Sequence, residues 1–224
     1  MPRQAAVHCS GLSSSVQADA RVLILGSMPG AASLGVRQYY AHPRNQFWAI
    51  VGRALGFDPT LPYDARLEAL RERGVGLWDV LRECQRAGSL DSNIRRASER
   101  PIDLAALLRD CPGIHTILLN GAKAAEAFQR HFGTLFTACA APPTVRTLPS
   151  TSPANVAMPS AQREALWHRA LMEGLARDAA AEPLYTKEAP AHVNATAATP
   201  LIRSNVTLSP SERASSAHSH QTQR

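Results

Sequence analysis

The run Val22-Leu23-Ile24-Leu25 passes without a polar break into Gly26-Ser27-Met28-Pro29-Gly30, and this junction constrains the fold more than any other stretch of the chain. Consecutive side chains of an extended strand point to opposite faces, so an uninterrupted apolar run belongs to a strand buried on both sides. Gly-Ser-Met-Pro-Gly can neither prolong that strand nor begin a regular helix before Ala31. A polar turn at the carboxyl end of a buried strand is where open α/β sheets bind their ligands.

Two further segments read as strands that end in polar turns. Residues 114–119 are closed by Asn120-Gly121, and residues 144–148 by Pro149-Ser150-Thr151-Ser152-Pro153-Ala154-Asn155. Helical spacing fills the intervals. Phe47, Trp48, Val51, Ala54 and Leu55 mark a helix over residues 45–55, with Asn45 at its N-cap. Leu67 and Leu70 mark a second over 62–73, and residues 74–81 read as a short strand running into a turn or helix. Residues 101–109, with Pro101 in the first turn, and residues 122–131 follow as helices. Leu166, Trp167, Ala170, Leu171 and Leu175 define a long helix over 160–176 that Ser160 can cap. Strands alternating with helices predict an α/β domain with a mainly parallel sheet covered on both faces. The loops after Leu25, Leu119 and Leu148 then meet at one edge.

The organisation expected is an irregular segment over residues 1–20, the α/β domain over 21–179, and a disordered tail over 180–224. The tail runs through proline, alanine, serine and threonine without sustained periodicity. Within it residues 201–208 can alternatively form a strand or a docking peptide.

The net charge of +6 is carried almost wholly by arginine, since Lys123 and Lys187 are the only lysines. A basic balance suits a polyanionic partner, although only clustering would make a binding face. Cys9, Cys84, Cys111 and Cys139 form no Cys-x-x-Cys pair and have no histidine at zinc-finger spacing, which predicts free thiols in a reducing compartment and no metal or cofactor. No apolar run approaches the length of a membrane span, and the start of the chain lacks a basic segment followed by an apolar one. A soluble cytoplasmic protein, monomeric, is expected.

Several ligand loops do not fit residues 26–30. Met28 stands where a nucleophile elbow needs serine, the Gly-Lys-Ser/Thr ending of a P-loop is missing, and the glycine spacing differs from a dinucleotide fingerprint. What remains is a loop whose backbone N–H groups can face a ligand, beside aromatic rings and an amide.

Gly26-Ser-Met-Pro-Gly30 followed by Tyr39-Tyr-Ala-His-Pro-Arg-Asn-Gln-Phe-Trp48 resembles the first motif of the uracil-DNA glycosylase superfamily, and within it the hypoxanthine-DNA (deoxyinosine) glycosylase branch. Leu148-Pro-Ser-Thr-Ser-Pro-Ala-Asn155 resembles the second motif, while Gly76-Leu-Trp-Asp-Val-Leu81 and Gly88-Ser-Leu-Asp-Ser92 fit the same branch. The likeness spans residues 21–177. It implies a three-layer α/β/α sandwich around a short four-stranded sheet, and hydrolysis of the N-glycosidic bond of a deaminated base, hypoxanthine and also uracil, in DNA. The alternatives are a uracil or mismatch-thymine glycosylase and a noncatalytic binder of damaged DNA.

The resemblance also distributes roles. In the mismatch-specific relatives an asparagine of the first loop positions water; Met28 occupies that place here, and a thioether cannot do so. The corresponding duty falls to Asn45, which would orient water or the scissile bond, its other role being the helix cap. Gly26, Ser27, Met28 and Gly30 would shape the base pocket, Tyr40 would stack on the flipped base, and His42 would polarise the base or brace its turn. Asn120 would read the base edge or simply form an Asn-Gly turn. Ser150, Thr151, Ser152 and Asn155 would meet the DNA backbone, with Asn155 also a candidate to enter the gap left by the base. Phe47 and Trp48 read as core, and Lys123 as a phosphate contact or a surface lysine. No lysine lies in a motif suited to Schiff-base chemistry, so a monofunctional enzyme is expected. The partner is duplex DNA, with single-stranded DNA the other form to consider.

Overall fold

The computed structural model describes residues 5–177 apart from 138, 140 and 157. In chain order the elements are β1 (Val7–Ser10), β2 (Val22–Gly26), α1 (Ala31–Val36), α2 (Phe47–Leu55), α3 (Tyr63–Arg71), β3 (Val75–Asp79), β4 (Leu81–Arg86), β5 (Arg100–Pro101), α4 (Leu104–Asp110), β6 (Thr116–Asn120), α5 (Ala122–Phe132), β7 (Thr144–Leu148) and α6 (Ser160–Ala176).

Strands β3, β2, β6 and β7 form, in that order, a four-stranded sheet in which every pairing is parallel. Every residue of β2 and β6 is buried, as an uninterrupted apolar run requires. Their side chains alternate between two cores. Val22, Ile24 and Leu118 join Phe47, Trp48, Ile50, Leu70 and Trp167 beneath α2, α3 and α6. Leu23, Leu25, Ile117 and Leu119 join Leu104, Leu108, Ala124 and Phe128 beneath α4 and α5 on the opposite face. The result is a mixed α/β fold with helices on both faces of the parallel sheet. Each fully buried leucine, isoleucine or phenylalanine contributes about 1.5–3 kcal/mol, so the two cores dominate the stabilisation.

A second sheet, antiparallel in the order β1-β4-β5, differs from the sequence expectation. Residues 7–10, expected to be irregular, pair with β4, and Ser15 forms a further bridge to Leu77. The chain after β3 continues into another strand, not a helix. Pro101 lies in β5 and helix α4 starts three residues later, capped by the Asp103 carboxylate accepting from the Ala106 N–H at 2.9 Å. The expected tail over 180–224 lies outside the described residues.

No described helix is long and apolar enough to cross a membrane. Among the described residues no cluster of His, Cys, Asp and Glu could hold a metal ion.

Candidate active site

In a parallel sheet all carboxyl ends lie on one edge, and the register sets them side by side: Gly26 beside Asp79, Leu25 beside Leu119, and Asn120 beside Leu148. The loops after β2, β6 and β7 therefore meet, as the sequence implies. Side chains lock them together. The Asn120 amide donates to Thr151 Oγ1 and accepts from the Thr151 N–H, both at 3.0 Å. The Gln46 N–H donates to the Thr151 carbonyl at 3.1 Å, joining the first loop to the third.

Arg163 of α6, 4 % exposed, donates to the carbonyls of Asn155 and Met158 at 2.8 and 3.0 Å and to Gln46 Oε1 at 2.5 Å. Trp167 on the same helix donates to the Pro149 carbonyl at 2.9 Å. A buried arginine holding several acceptors is a strong positional clamp because its planar fork fixes them relative to one another, here through the two terminal nitrogens while Nε has no partner. Sequence reasoning assigned Arg163 no role, since a lone arginine in a helical period reads as surface.

Asn45 lies half-buried just before α2. The helix begins at Phe47 with Gln46 at the cap position, and Asn45 Oδ1 accepts from the Phe47 N–H at 3.0 Å. The carbonyl half of the amide is thus held by the helix start, while no acceptor among the described residues holds the NH2 half. Capping and chemistry are compatible in this residue: the cap fixes the plane of the amide, and its donors remain free.

Gly26 sits where nothing larger fits. A Cβ there would collide with Asp79 Oδ1 and lie 3.2 Å from the Tyr40 hydroxyl. Tyr40 has a left-handed backbone (φ 54°), and its ring stacks on Phe47 at a centroid distance of 3.8 Å and an interplanar angle of 20°. One ring face is thereby committed to the core. Burial, and next the nearby Asp79 carboxyl, push the Tyr40 phenol far above its usual range. Asn120 approaches this hydroxyl, but its amide is committed to Thr151, and the hydroxyl has no partner of hydrogen-bonding geometry.

Other expected site residues are placed less directly. Met28 is 5 % exposed and packs in the core with Leu25 and Val80, so only its backbone remains for a ligand. Thr151, expected to meet DNA, is completely buried and spent on Asn120; its hydroxyl cannot reach a phosphate. Gly30 is the N-cap of α1 and has open space where a Cβ would stand, so no close approach requires glycine there. His42 Nδ1 accepts from the Arg44 N–H at 3.2 Å, which braces its turn. Ser150 and Ser152 are half-buried, their hydroxyls accepting from the N–H groups of Ser152 and Ala154 at 3.2 and 3.3 Å. Asn155 is tied back to the Ser150 carbonyl at 3.0 Å. Lys123 is paired with Glu126 at 2.9 Å.

Sequence reasoning gave no role to two buried groups beside the edge, Arg86 and Asp79, or to the half-buried Asp91. Arg86, 0 % exposed, donates to the carbonyls of Pro29 and Gly88 at 2.7 and 3.1 Å and pairs with Asp91 at 3.3 Å. Asp91 also accepts from the Ser27 hydroxyl. Burial raises the Asp91 carboxyl, against the opposing pull of Ser27 and Arg86. Asp79, at the end of β3, has an oxygen with no partner, and burial pushes its carboxyl up to about 8. The signal available was an aspartate closing an apolar strand in Leu77-Trp78-Asp79. A concavity of about 690 Å³ between α2 and α6, lined by Arg53, Glu164 and His168, carries none of these residues. A cleft of about 130 Å³ reaches Ser27 and Asp91.

Residues 13–173 match the family model described as the uracil DNA glycosylase superfamily. The chain is 38 % identical to the hypoxanthine DNA glycosylase of Methanosarcina barkeri over 113 residues, covering 50 % of this chain and 70 % of the relative. It is 35 % identical to the hypoxanthine DNA glycosylase of Methanosarcina acetivorans over 150 residues, covering 66 % and 89 %. The solution NMR structure of a candidate uracil DNA glycosylase from Methanosarcina acetivorans superposes with a TM-score of 0.64 at 31 % identity, covering 75 % of this chain and 99 % of that one.

Proposed function

The chain belongs to the uracil DNA glycosylase superfamily, and from that membership we propose that it hydrolyses the N-glycosidic bond of deaminated bases in DNA, hypoxanthine foremost and uracil second, leaving an abasic site. The names of its relatives support hypoxanthine as the first substrate. The observation that carries the proposal is the tying of three loops into one edge by Asn120, Thr151, Gln46 and Arg163, with the free amide donors of Asn45 beside them.

The glycosidic carbon is inaccessible within the stack, so the nucleotide must be flipped out before chemistry. The Tyr40 ring, backed by Phe47, offers a rigid stacking surface worth about 1–3 kcal/mol, indifferent to whether the base is purine or pyrimidine. Asn45 then orients water against C1′. The water oxygen bonds to C1′ as the C1′–N bond breaks, its electron pair leaves with the base, and the proton balance closes through solvent. Water is the only co-reactant, and the protein's contribution is orientation and stabilisation of the charge that develops.

Ser150 and Ser152 keep hydroxyl protons to donate to flanking phosphates, and Arg37 and Arg44, exposed and without ion-pair partners among the described residues, supply cations nearby. Asn155 is held by Ser150, whereas Val156 next to it is 90 % exposed. Apolar side chains that wedge between base steps hold a duplex open, and Val156 fits that role better than Asn155. The enzyme would act as a monomer on duplex DNA in the cytoplasm, in keeping with the four free cysteines.

The test is single-turnover incubation with labelled duplexes carrying one inosine, one uracil or one mismatched thymine, followed by alkaline cleavage of abasic sites. Alkali-labile product from inosine, with less from uracil, is expected. Product from uracil or thymine alone would move the enzyme to the pyrimidine-specific reading. Binding without product from any duplex would make the protein a noncatalytic damage sensor.

A further inference from the structure

Asp79 and Gly26 face each other across the paired strands β3 and β2, and the bare Cα of Gly26 is what lets the Asp79 carboxyl and the Tyr40 hydroxyl crowd over one point. Asp79 is 4 % exposed, and both its Oδ2 and the Tyr40 hydroxyl lack partners. Buried polar groups are almost always satisfied, so two orphans side by side at the ligand-binding edge of the sheet mark a contact reserved for something that enters.

The surroundings decide the form of the carboxyl. Tyr39 and Tyr40 face it from the loop before α2, Tyr63 from the start of α3, and Arg86 and Asp91 from β4 and the turn that follows. The one cation, Arg86, is occupied by Asp91 and by the Pro29 and Gly88 carbonyls. Arg86 still pulls the Asp79 carboxyl down, but burial and the Asp91 charge outweigh it and push the group up to about 8, so that it is mostly protonated at neutral pH.

Resting on the glycosylase reading above, we propose that Asp79 is a catalytic residue whose neutral carboxyl pairs with the lactam edge of the flipped base. Hypoxanthine and uracil share that edge, an N–H next to a C=O, because deamination creates it. A carboxylic acid presents a donor and an acceptor side by side and matches both positions; a carboxylate presents acceptors only and repels the lactam oxygen. As the glycosidic bond breaks, negative charge spreads onto that oxygen, and the Asp79 O–H is aimed where it develops.

The experiment compares wild type, Asp79→Asn and Asp79→Ala in single-turnover excision on inosine and uracil duplexes from about pH 6 to about pH 10, with thermal melting of each protein. The wild-type rate should fall roughly tenfold per pH unit above about pH 8, as the carboxyl ionises. Asp79→Ala should lose about 100-fold or more at neutral pH, the scale of a missing transition-state donor. Asp79→Asn, whose amide also offers one donor and one acceptor, should rescue most of that loss and abolish the residue's own alkaline limb. An alkaline limb identical in wild type and Asp79→Asn, or a folded Asp79→Ala that excises at the wild-type rate, overturns the assignment while leaving the glycosylase function standing. Wild type that releases neither base at any pH overturns the function itself and the assignment with it.

Discussion

At the scale of single residues, the two halves of the Asn45 amide are differently placed. Its Oδ1 closes the first turn of α2, and its NH2 group is free. The two separate by substitution. Asn45→Asp keeps the cap acceptor, which would even favour the helix N-terminus, but removes the donor. We expect its melting temperature to match wild type while single-turnover excision falls on the order of 10²–10³-fold. Asn45→Ala should show the same kinetic loss plus about 0.5–2 kcal/mol of destabilisation from the missing cap. Wild-type rates in Asn45→Asp would leave the residue a cap and nothing more. The contact of Asn45 with the helix start was legible because asparagine before a helical period is a local signal, whereas its proposed part in chemistry comes from the family resemblance. Sequence reasoning did not single out Asp79 or Asp91, whose significance lies in which charges face them across separate elements.

At the scale of elements, the edge is held by α6. Arg163 joins the third loop to the start of α2 through three acceptors, so the long helix fastens the two motif loops as well as burying Trp167. Arg163→Met fills similar volume but leaves those oxygens unsatisfied. Its expected cost is about 1.5–3 kcal/mol, read from chemical denaturation, together with weaker duplex binding as the third loop loosens. Unaltered binding would mean that Pro149 and Asn155 are held adequately by Trp167 and Ser150. Strand β2 was legible as an apolar run, β6 and β7 as short stretches closed by turn residues, and α5 and α6 from their periodicity. The antiparallel sheet was not. Strand β4, Leu81-Arg-Glu-Cys-Gln-Arg86, has little apolar alternation; its inward residues are Leu81, Cys84 and the fully buried Arg86. Such a strand depends on its partners, and no window of sequence reveals them.

At the scale of the whole molecule, two cores clasp one parallel sheet, and the likeness to the family ends at residue 173, just before the close of α6 at Ala176. The edge contacts named above all lie between residues 26 and 167. We expect a protein ending at residue 179 to melt like the full chain and to excise hypoxanthine from short duplexes within about twofold of its rate, a change of well under 1 kcal/mol. A large loss in the truncated protein would assign residues 180–224 a part in DNA binding or catalysis. The fold class was readable because strand burial and helix spacing are written locally. The crowding of Asp79 and Tyr40 over Gly26 was less so, because it depends on one residue having no side chain where another is long.

That last relation has an evolutionary consequence. Gly26 and Asp79 share one volume, so position 26 cannot gain a side chain while Asp79 keeps its place. A lineage acquiring alanine at position 26 would first have to shorten or turn aside residue 79. Position 79 is free to change beside glycine, so a side chain at 26 should be found only where 79 has already been replaced.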